Sequence, residues 1–347
     1  MSLPSLKLVL TAAGCPGAAT LIGRLKANGE RPIEIFGVDT RPDAVGRFLC
    51  DGFATVPSGG AREYIPALLA LVERERPDVL FVQSSNEVGQ VARHRHAFEE
   101  LGAKALVAGP DAVDLCNDKA AMHAAVAGLA VRQPKLLLPA DLDEFVAGAR
   151  ALGYPDVPVC FKPPVSKGSR GFRILSTAVD RRHLLLHERP NSLYMALNEF
   201  VALFIGVEPF PALMLMEYVE GTEYTVDALA DHGEIVLAQA KTREAIDTGL
   251  AMSFRTVDRP DLVEAARHVC RRLALDWFVN VSFKGDHLLE VNPRVSTFVY
   301  QDDFSLPYLG IKYALGELDA DALRAAQARV RPSRRTVRYY DQVFWDA

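Results

Sequence analysis

Along the first third of the chain, short apolar runs alternate with longer stretches of helical period. Leu6–Thr11, the loop Ala12-Ala13-Gly14-Cys15-Pro16-Gly17 and the pattern Ala18–Asn28 predict a strand, a tight turn and a helix. Ile33–Val38, ending in Asp39, is a second strand, and Val79–Val82 and Ala105–Ala108 are two more. Helical stretches at Tyr64–Arg74 and Gln90–Glu100 lie among them, so a parallel sheet with helices on its faces is expected. After Gly109-Pro110 the pattern changes. A helical stretch, Ala112–Leu129, leads to strand-like runs at Lys135–Leu138, Pro158–Lys162, Phe172–Leu175 and Leu213–Val219, with helices at Leu142–Leu152 and Asp180–His187. A third region from about Gly221 has strands at Glu223–Ala230, Glu234–Lys241, Asn280–Phe283 and His287–Val291, and a helix at Pro260–Leu273. Glu188–Gly206 reads equally as helix or loop, and no internal repeat is visible.

Length and composition place limits on this picture. The 347 residues exceed the roughly 250–300 over which a single core grows, so more than one domain is expected. Hydrophobic residues at 49% and charged residues at 24% describe a globular chain rather than a disordered one. A net charge of −5, with a dense basic run only at Arg331, Arg334 and Arg335, argues against nucleic acid as a partner. The five cysteines are widely spaced and odd in number, which favours a reducing compartment. Neither a secretory leader nor a stretch of about 20 apolar residues is found, so a soluble, cytoplasmic protein without a membrane partner is expected.

Three segments carry candidate chemistry. Glu290-Val291-Asn292-Pro293-Arg294 closes an apolar strand, and residues two apart face one side, so Glu290, Asn292 and Arg294 converge. Two oxygen-bearing side chains beside a guanidinium suit magnesium bound to phosphate, and a capped strand end is the plainer alternative. Lys162 ends a second apolar strand, where an ammonium must snorkel outward or meet an anion. The loop after it, Val165-Ser166-Lys167-Gly168-Ser169-Arg170-Gly171, can turn backbone N–H groups toward phosphate, or serve as an ordinary flexible connection. The third segment, Leu215–Tyr224, is a strand, a glycine turn and a strand; its apolar part could hold a planar base, and its acids could accept from ribose hydroxyls.

Taken in order, Asn117-Asp118-Lys119, the Lys162 strand with its glycine loop, the Glu217–Glu223 hinge, Arg243 and Glu290-x-Asn292-x-Arg294 resemble the ATP-grasp superfamily. The likeness is to the ATP-binding halves of the carbamoyl-phosphate synthase large subunit and to related stand-alone carboxylate-amine ligases, and it covers nearly the whole chain. It implies an α/β and α+β protein: an N-terminal Rossmann-like domain over residues 1–111, a linker helix and lid over 112–219, and a C-terminal catalytic part over 220–347. ATP and Mg2+, with Mn2+ as a substitute, are the implied cofactors. The implied partners are a small-molecule carboxylate and an amine-type nucleophile, with a homodimer left open. Carried over by position, the resemblance puts Lys119 and Lys162 on the α- and β-phosphates. Ser166, Gly168 and Gly171 fall in the lid loop. Glu217, Tyr218 and Val219 lie along the adenine edge, and Glu220 or Glu223 on the ribose. Arg243 is implied at the γ-phosphate, Glu290 and Asn292 on the metal, and Arg294 on the transferred phosphoryl group. Ser282 departs from the pattern, standing where a glutamine, glutamate or aspartate is usual, and leaves open one metal site or two.

Two other function classes remain in view. Gly14-x-x-Gly17 and Asp39 imitate a dinucleotide fingerprint, which would make the protein an NAD(P)-dependent oxidoreductase, although Ala12 stands at the first glycine position. A non-catalytic ATP-binding protein would also fit Ser282. Loops at Thr11–Gly17, Ser84–Glu87 and Ile246–Phe254 are the expected substrate contacts. His94 and His96 are two apart on a helix and point away from each other, and the aromatic tail Tyr339-Tyr340 with Phe344-Trp345 is expected to pack rather than react.

Overall fold

The computed structural model describes residues 3–187, 193–247, 250–296 and 298–345, with no side-chain description at 246, 247 and 250. Part of the ambiguous segment Glu188–Gly206 and part of the Ile246–Phe254 loop therefore lie outside the described residues; within the first of them, Leu197–Phe204 is a helix. Among the described residues, no helix is long and apolar enough to cross a membrane.

The first sheet contains β1 (Leu6–Leu10), β2 (Ile33–Asp39), β3 (Gly52–Thr55), β4 (Val79–Phe81) and β5 (Lys104–Ala105), all parallel, in the order β3-β2-β1-β4-β5. β1, apolar but for the half-buried Lys7, and the wholly apolar β4 are almost wholly buried, as strands covered on both faces require. The second sheet combines β6 (Leu136–Leu137), β7 (Val159–Lys162), β8 (Arg173–Leu175), β9 (Tyr194–Met195) and β10 (Met214–Glu217) in the order β6-β10-β7-β8-β9. The third contains β11 (Glu223–Asp231), β12 (Glu234–Asp247), β13 (Leu250–Thr256), β14 (Trp277–Lys284), β15 (His287–Asn292) and β16 (Arg335–Val337), antiparallel in the order β15-β14-β11-β12-β13-β16.

The first and third sheets share their packing. Phe81 of β4 meets Phe278 of β14 with ring centroids 5.1 Å apart, and one apolar cluster runs from Leu80 and Val113 to Val226 and Val281. The second sheet has a smaller core of its own around Phe145, Phe161 and Phe200. Two expected helices are each broken in two. Gln90–Glu100 becomes Val88–Arg93 and Arg95–Glu100, with the break at His94. Ala112–Leu129 becomes Pro110–Asn117 and Lys119–Ala125, because Asp118 turns extended and its carboxylate accepts from the N–H groups of Ala120 and Ala121, both at 3.0 Å. That break matters for function, since it puts Lys119 on the first turn of a new helix. β12 runs past the expected end at Lys241 because β13, absent from the sequence reading, pairs along its second half.

The small core of the second sheet should be the weakest part of the molecule. Phe200 is fully buried and stacks on Phe145 with centroids 3.9 Å apart, so Phe200→Ala should cost about 3–5 kcal/mol. Denaturant unfolding is the measurement, and an unshifted midpoint would contradict this account of the core.

Candidate functional site

The third sheet sets charged side chains out in rows by strand register alone. Glu290 on β15 pairs with Ser282 on β14, Ser282 with Thr225 on β11, and Thr225 with Lys241 on β12. The neighbouring row joins Asn292, Asn280, Asp227 and Gln239, and a third joins Lys284, Glu223, Arg243 and Phe254. The rows are two residues apart, so they share one face. That face is one wall of a cleft of about 740 Å³.

The second wall comes from the loop side. Lys162 at the end of β7, Lys119, Ser166 and Gly168 all line the cleft. The Lys119 ammonium donates to the Ser166 carbonyl at 2.7 Å, its own N–H donates to Pro164 O at 3.0 Å, and it lies 3.9 Å from a Glu290 carboxylate oxygen. One side chain thus links the helix, the glycine loop and β15. The first sheet closes the remaining side with Cys15, Pro16 and Gly17 and with Ser84, Ser85 and Asn86. Ser85 accepts from Arg294 Nε at 2.6 Å through its hydroxyl and from the Lys167 ammonium through its carbonyl. Glu87 steadies that turn from behind. It is buried, accepts from the hydroxyls of Thr11 and Tyr64, and has its carboxyl pushed up by burial against the effect of those bonds.

Cations dominate. Among the described residues, Lys119, Lys162, Lys167, Arg170, Lys241, Arg243, Arg294 and Arg338 line the cleft, against Glu223 and Glu290 as its only carboxylates. Burial pushes the Lys162 ammonium down, and Glu290 pulls it back up while Lys119 adds to the fall. Burial acts on Arg294 in the same direction. Glu290 shows the converse: burial raises it, but Lys162, Lys119, the Asn292 amide and Arg243 together outweigh this and hold it below the usual carboxylate range. Two of the cations are neutralised in place. Arg243 is ion-paired with its cross-strand neighbour Glu223, and Lys241 with Asp227, whose other oxygen accepts from Asn280 at 2.6 Å. Both members of the Lys241–Asp227 pair are at most 1% exposed.

The other expected residues fall elsewhere. Glu217, Tyr218, Val219 and Glu220 lie beyond the cleft lining, where Tyr218 packs with Phe172 on the buried cluster Cys160, Ile174, Met214 and Met216. Glu220 is exposed, and Gly171, at φ +77° with no room for a Cβ against Pro163, shapes the loop from behind. Asp39 accepts from the N–H of Gly14 at 2.8 Å and of Arg41 at 3.1 Å and is not part of the cleft lining. Phe254, at the end of the expected substrate segment Ile246–Phe254, lines the cleft, whereas Lys241, Asp227, Asn280 and Arg338 were not singled out from the sequence. Lys241, Asp227 and Asn280 are ordinary members of strands that read as apolar, and only the register discloses them. Arg338 follows β16 and reaches back across the sheet, its Nη1 donating to Pro16 O at 2.7 Å.

The donor set fits a single divalent cation. The side chains of Glu290 and Asn292 are adjacent, with the amide 3.2 Å from the carboxylate, and Glu290 is one-third exposed toward the cleft. Ser282 is buried and directs its hydroxyl at Asn280 at 3.4 Å, and Asp227 is committed to Lys241 and Asn280, so neither is set as a further ligand.

Comparisons with known proteins bear on the family and the fold. Residues 209–336 match the family model described as ATP-grasp in the biosynthetic pathway with Ter operon. Carbamoyl phosphate synthase large chains are similar in sequence: that of Gemmatimonas aurantiaca is 24% identical over 271 residues, 73% of this chain and 23% of the relative, and that of Clostridium acetobutylicum 22% over 253 residues, 68% and 21%. The chain therefore spans less than a quarter of the length of these curated relatives. Among solved structures, biotin carboxylase from Campylobacter jejuni, a complex with β-γ-ATP, superposes with a TM-score of 0.66 at 15% identity over 91% of this chain and 73% of that one. N5-carboxyaminoimidazole synthetase from Staphylococcus aureus gives 0.63 at 12% identity over 90% and 78%. At such identities these structures show a shared fold.

The buried ion pair gives a test independent of any ligand. Asp227→Ala would leave the Lys241 ammonium enclosed without its carboxylate, at a cost of about 3–5 kcal/mol. The double variant Asp227→Leu, Lys241→Met should recover most of that loss. Equal destabilisation of the single and double variants in thermal unfolding would contradict the pairing.

Proposed function

We propose that this ATP-grasp protein is a ligase that uses ATP and Mg2+ to activate a small carboxylic acid and joins the acyl group to a nucleophile, an amine in the first instance. The observation that carries the reading is the convergence of Lys119, Lys162 and Arg294 around Glu290 in one cleft, under a loop of small residues. Cations gathered round one carboxylate, in a wall with almost no other negative charge, suit a polyphosphate with its metal.

In this reading Glu290 and Asn292 would hold the cation, whose charge would offset what develops on the phosphoryl oxygens. Lys119 and Lys162 hold the α- and β-phosphates, and Ser166, Gly168 and Gly171 belong to the loop over them. The Tyr218 cluster, with the backbone of Glu217 and Val219, receives the adenine, and Glu220 or Glu223 the ribose. The substrate carboxylate oxygen attacks the γ-phosphorus as the bond to the bridging β–γ oxygen breaks, ADP leaving with that electron pair. Arg243 and Arg294 hold the phosphoryl oxygens throughout. An amine nitrogen then attacks the acyl carbon, phosphate leaves with the C–O electron pair, and the amine proton passes to solvent. The division into residues 1–111, 112–219 and 220–347, the first of them Rossmann-like, is the domain organisation that goes with this proposal.

Lys162→Ala should weaken Mg-ATP binding about ten- to hundredfold, because a charge-assisted contact of about 1.5–3 kcal/mol is lost and no charge is left buried. Calorimetry checks it, and an unchanged affinity would remove Lys162 from the phosphate site.

Glu290→Gln should keep the fold, since the shape is conserved, and abolish turnover, since the metal loses its one charged side-chain ligand. With a competent acid, the native protein should release ADP and yield a hydroxamate when hydroxylamine is present. Release of AMP and pyrophosphate would mean adenylation and would end the roles given to Arg243 and Arg294.

A further inference from the structure

Thr225 stands in the middle of the sheet wall. It lines the cleft from β11, with Ser282 opposite it on β14 and Lys241 on β12. The residues on either side of it along the strand turn the other way: Tyr224 and Val226 join the apolar cluster that holds Leu262 and Ala266 of the helix Pro260–Arg272. Strand alternation therefore points Thr225 at the cleft.

Its hydroxyl has nothing to bond there. Thr225 is 2% exposed, and among the described residues no partner lies within hydrogen-bonding reach of its Oγ1. The neighbours in its row are engaged elsewhere, since Ser282 directs its hydroxyl at Asn280 and Lys241 is held by Asp227. A buried hydroxyl without a partner destabilises the protein that carries it, and a valine of the same outline would avoid the loss. Such a group in the wall of a polar cleft calls for a partner that arrives with the ligand.

The place of Thr225 decides what that partner is. Neighbouring strands lie about 4.8 Å apart, so Thr225, two strands in from β15, is about 10 Å from Glu290 along the row. On the other side it is the diagonal neighbour of Arg243, because Thr225 faces Lys241 and Arg243 faces Glu223. Thr225 therefore lies between the carboxylate assigned to the metal and the arginine assigned to the phosphoryl group. Lys119, Lys162 and Arg294 gather round Glu290, and their charge favours an anionic oxygen over an amine or a second cation.

We propose that Thr225 is a further ligand-contacting residue of the cleft, its hydroxyl donating a hydrogen bond to a terminal phosphoryl oxygen of the bound triphosphate. The inference rests on the ligase reading and adds to it a residue that separates triphosphate from diphosphate. The bond forms only where a third phosphate is present, so Thr225 contributes nothing to the affinity for ADP. It meets the phosphoryl group from the sheet side, across the cleft from Lys119 and Lys162.

The experiment is calorimetry on the full chain with Mg-ADP and with the magnesium complex of the β,γ-imido analogue of ATP, joined to thermal unfolding of the ligand-free protein. Thr225→Val should weaken the analogue about tenfold, as the loss of one hydrogen bond to a charged group, and leave Mg-ADP within about twofold. The same variant should raise the midpoint of thermal unfolding without ligand, because it removes a buried hydroxyl that lacks a partner. Thr225→Ser, which keeps the hydroxyl, should restore most of the affinity for the analogue. A residue that only supported the fold would lower the midpoint and weaken both nucleotides together. An analogue affinity indifferent to Thr225→Val, an equal loss with both nucleotides, or a lowered midpoint, failure to fold included, would each overturn the assignment. Failure of both nucleotides to bind the native protein would instead bring down the ligase reading beneath it.

Discussion

Like charges held close together set the terms for this protein. Lys119, Lys162, Arg243 and Arg294 crowd around Glu290, with Arg243 also paired to Glu223 and Lys119 donating to the Ser166 carbonyl. Burial lowers the proton affinity of Lys162 and Arg294, which is the measure of what their confinement costs. A fold can hold such a cluster only if its backbone is fixed by other interactions, because the cations gain nothing from one another. The antiparallel third sheet supplies that rigidity. Its register, rather than the affinity of any side chain for its neighbour, puts the charges in rows.

The two walls of the cleft are built on different principles. The sheet wall is stiff and internally satisfied: Arg243 has Glu223, Lys241 has Asp227, and Asn280 and Gln239 are hydrogen-bonded below the surface. The loop wall is attached through a few side chains. Lys119 ties it to a helix start and to Glu290, and Lys167 ties it to Ser85 on the first sheet. Because Ser85 also accepts from Arg294, a single residue of the first sheet touches both walls. The position of the loop is therefore coupled to Arg294, and a phosphate that draws Arg294 into the cleft would be felt at Lys167.

Much of this was legible in the sequence where a period or a cost argument applied. Period two along β15 was enough to put Glu290 and Asn292 together, whereas Arg294 lines the same cleft from beyond the strand's end; an ammonium ending an apolar strand was enough to flag Lys162. Helical period failed at Asp118, where a side chain with a strong preference for capping restarts the helix, and the restart is what sends Lys119 into the cleft. Lys241 and Asp227 were invisible because each is unremarkable on its own strand; they pair only through a hairpin and a register that one-dimensional patterns do not carry. Arg338 was further out of reach, since β16 is three residues long and joins the far edge of the sheet.

The scarcity of carboxylates on the sheet face has a consequence for the order of events in the proposed reaction. Magnesium keeps several waters and is usually held by one or two carboxylates completed by substrate phosphates. Among the described residues the carboxylates lining the cleft are Glu290 and Glu223, of which Glu223 is paired with Arg243, while Ser282 is buried against Asn280 and Asp227 is spent on Lys241. Lys119 and Lys162 also compete electrostatically with any cation approaching Glu290 before the phosphates arrive. Metal alone therefore meets a weak site among repelling charges, whereas metal already carried by a nucleotide brings the anions those lysines need. In the proposed reaction the metal and nucleotide would therefore enter the cleft as one body.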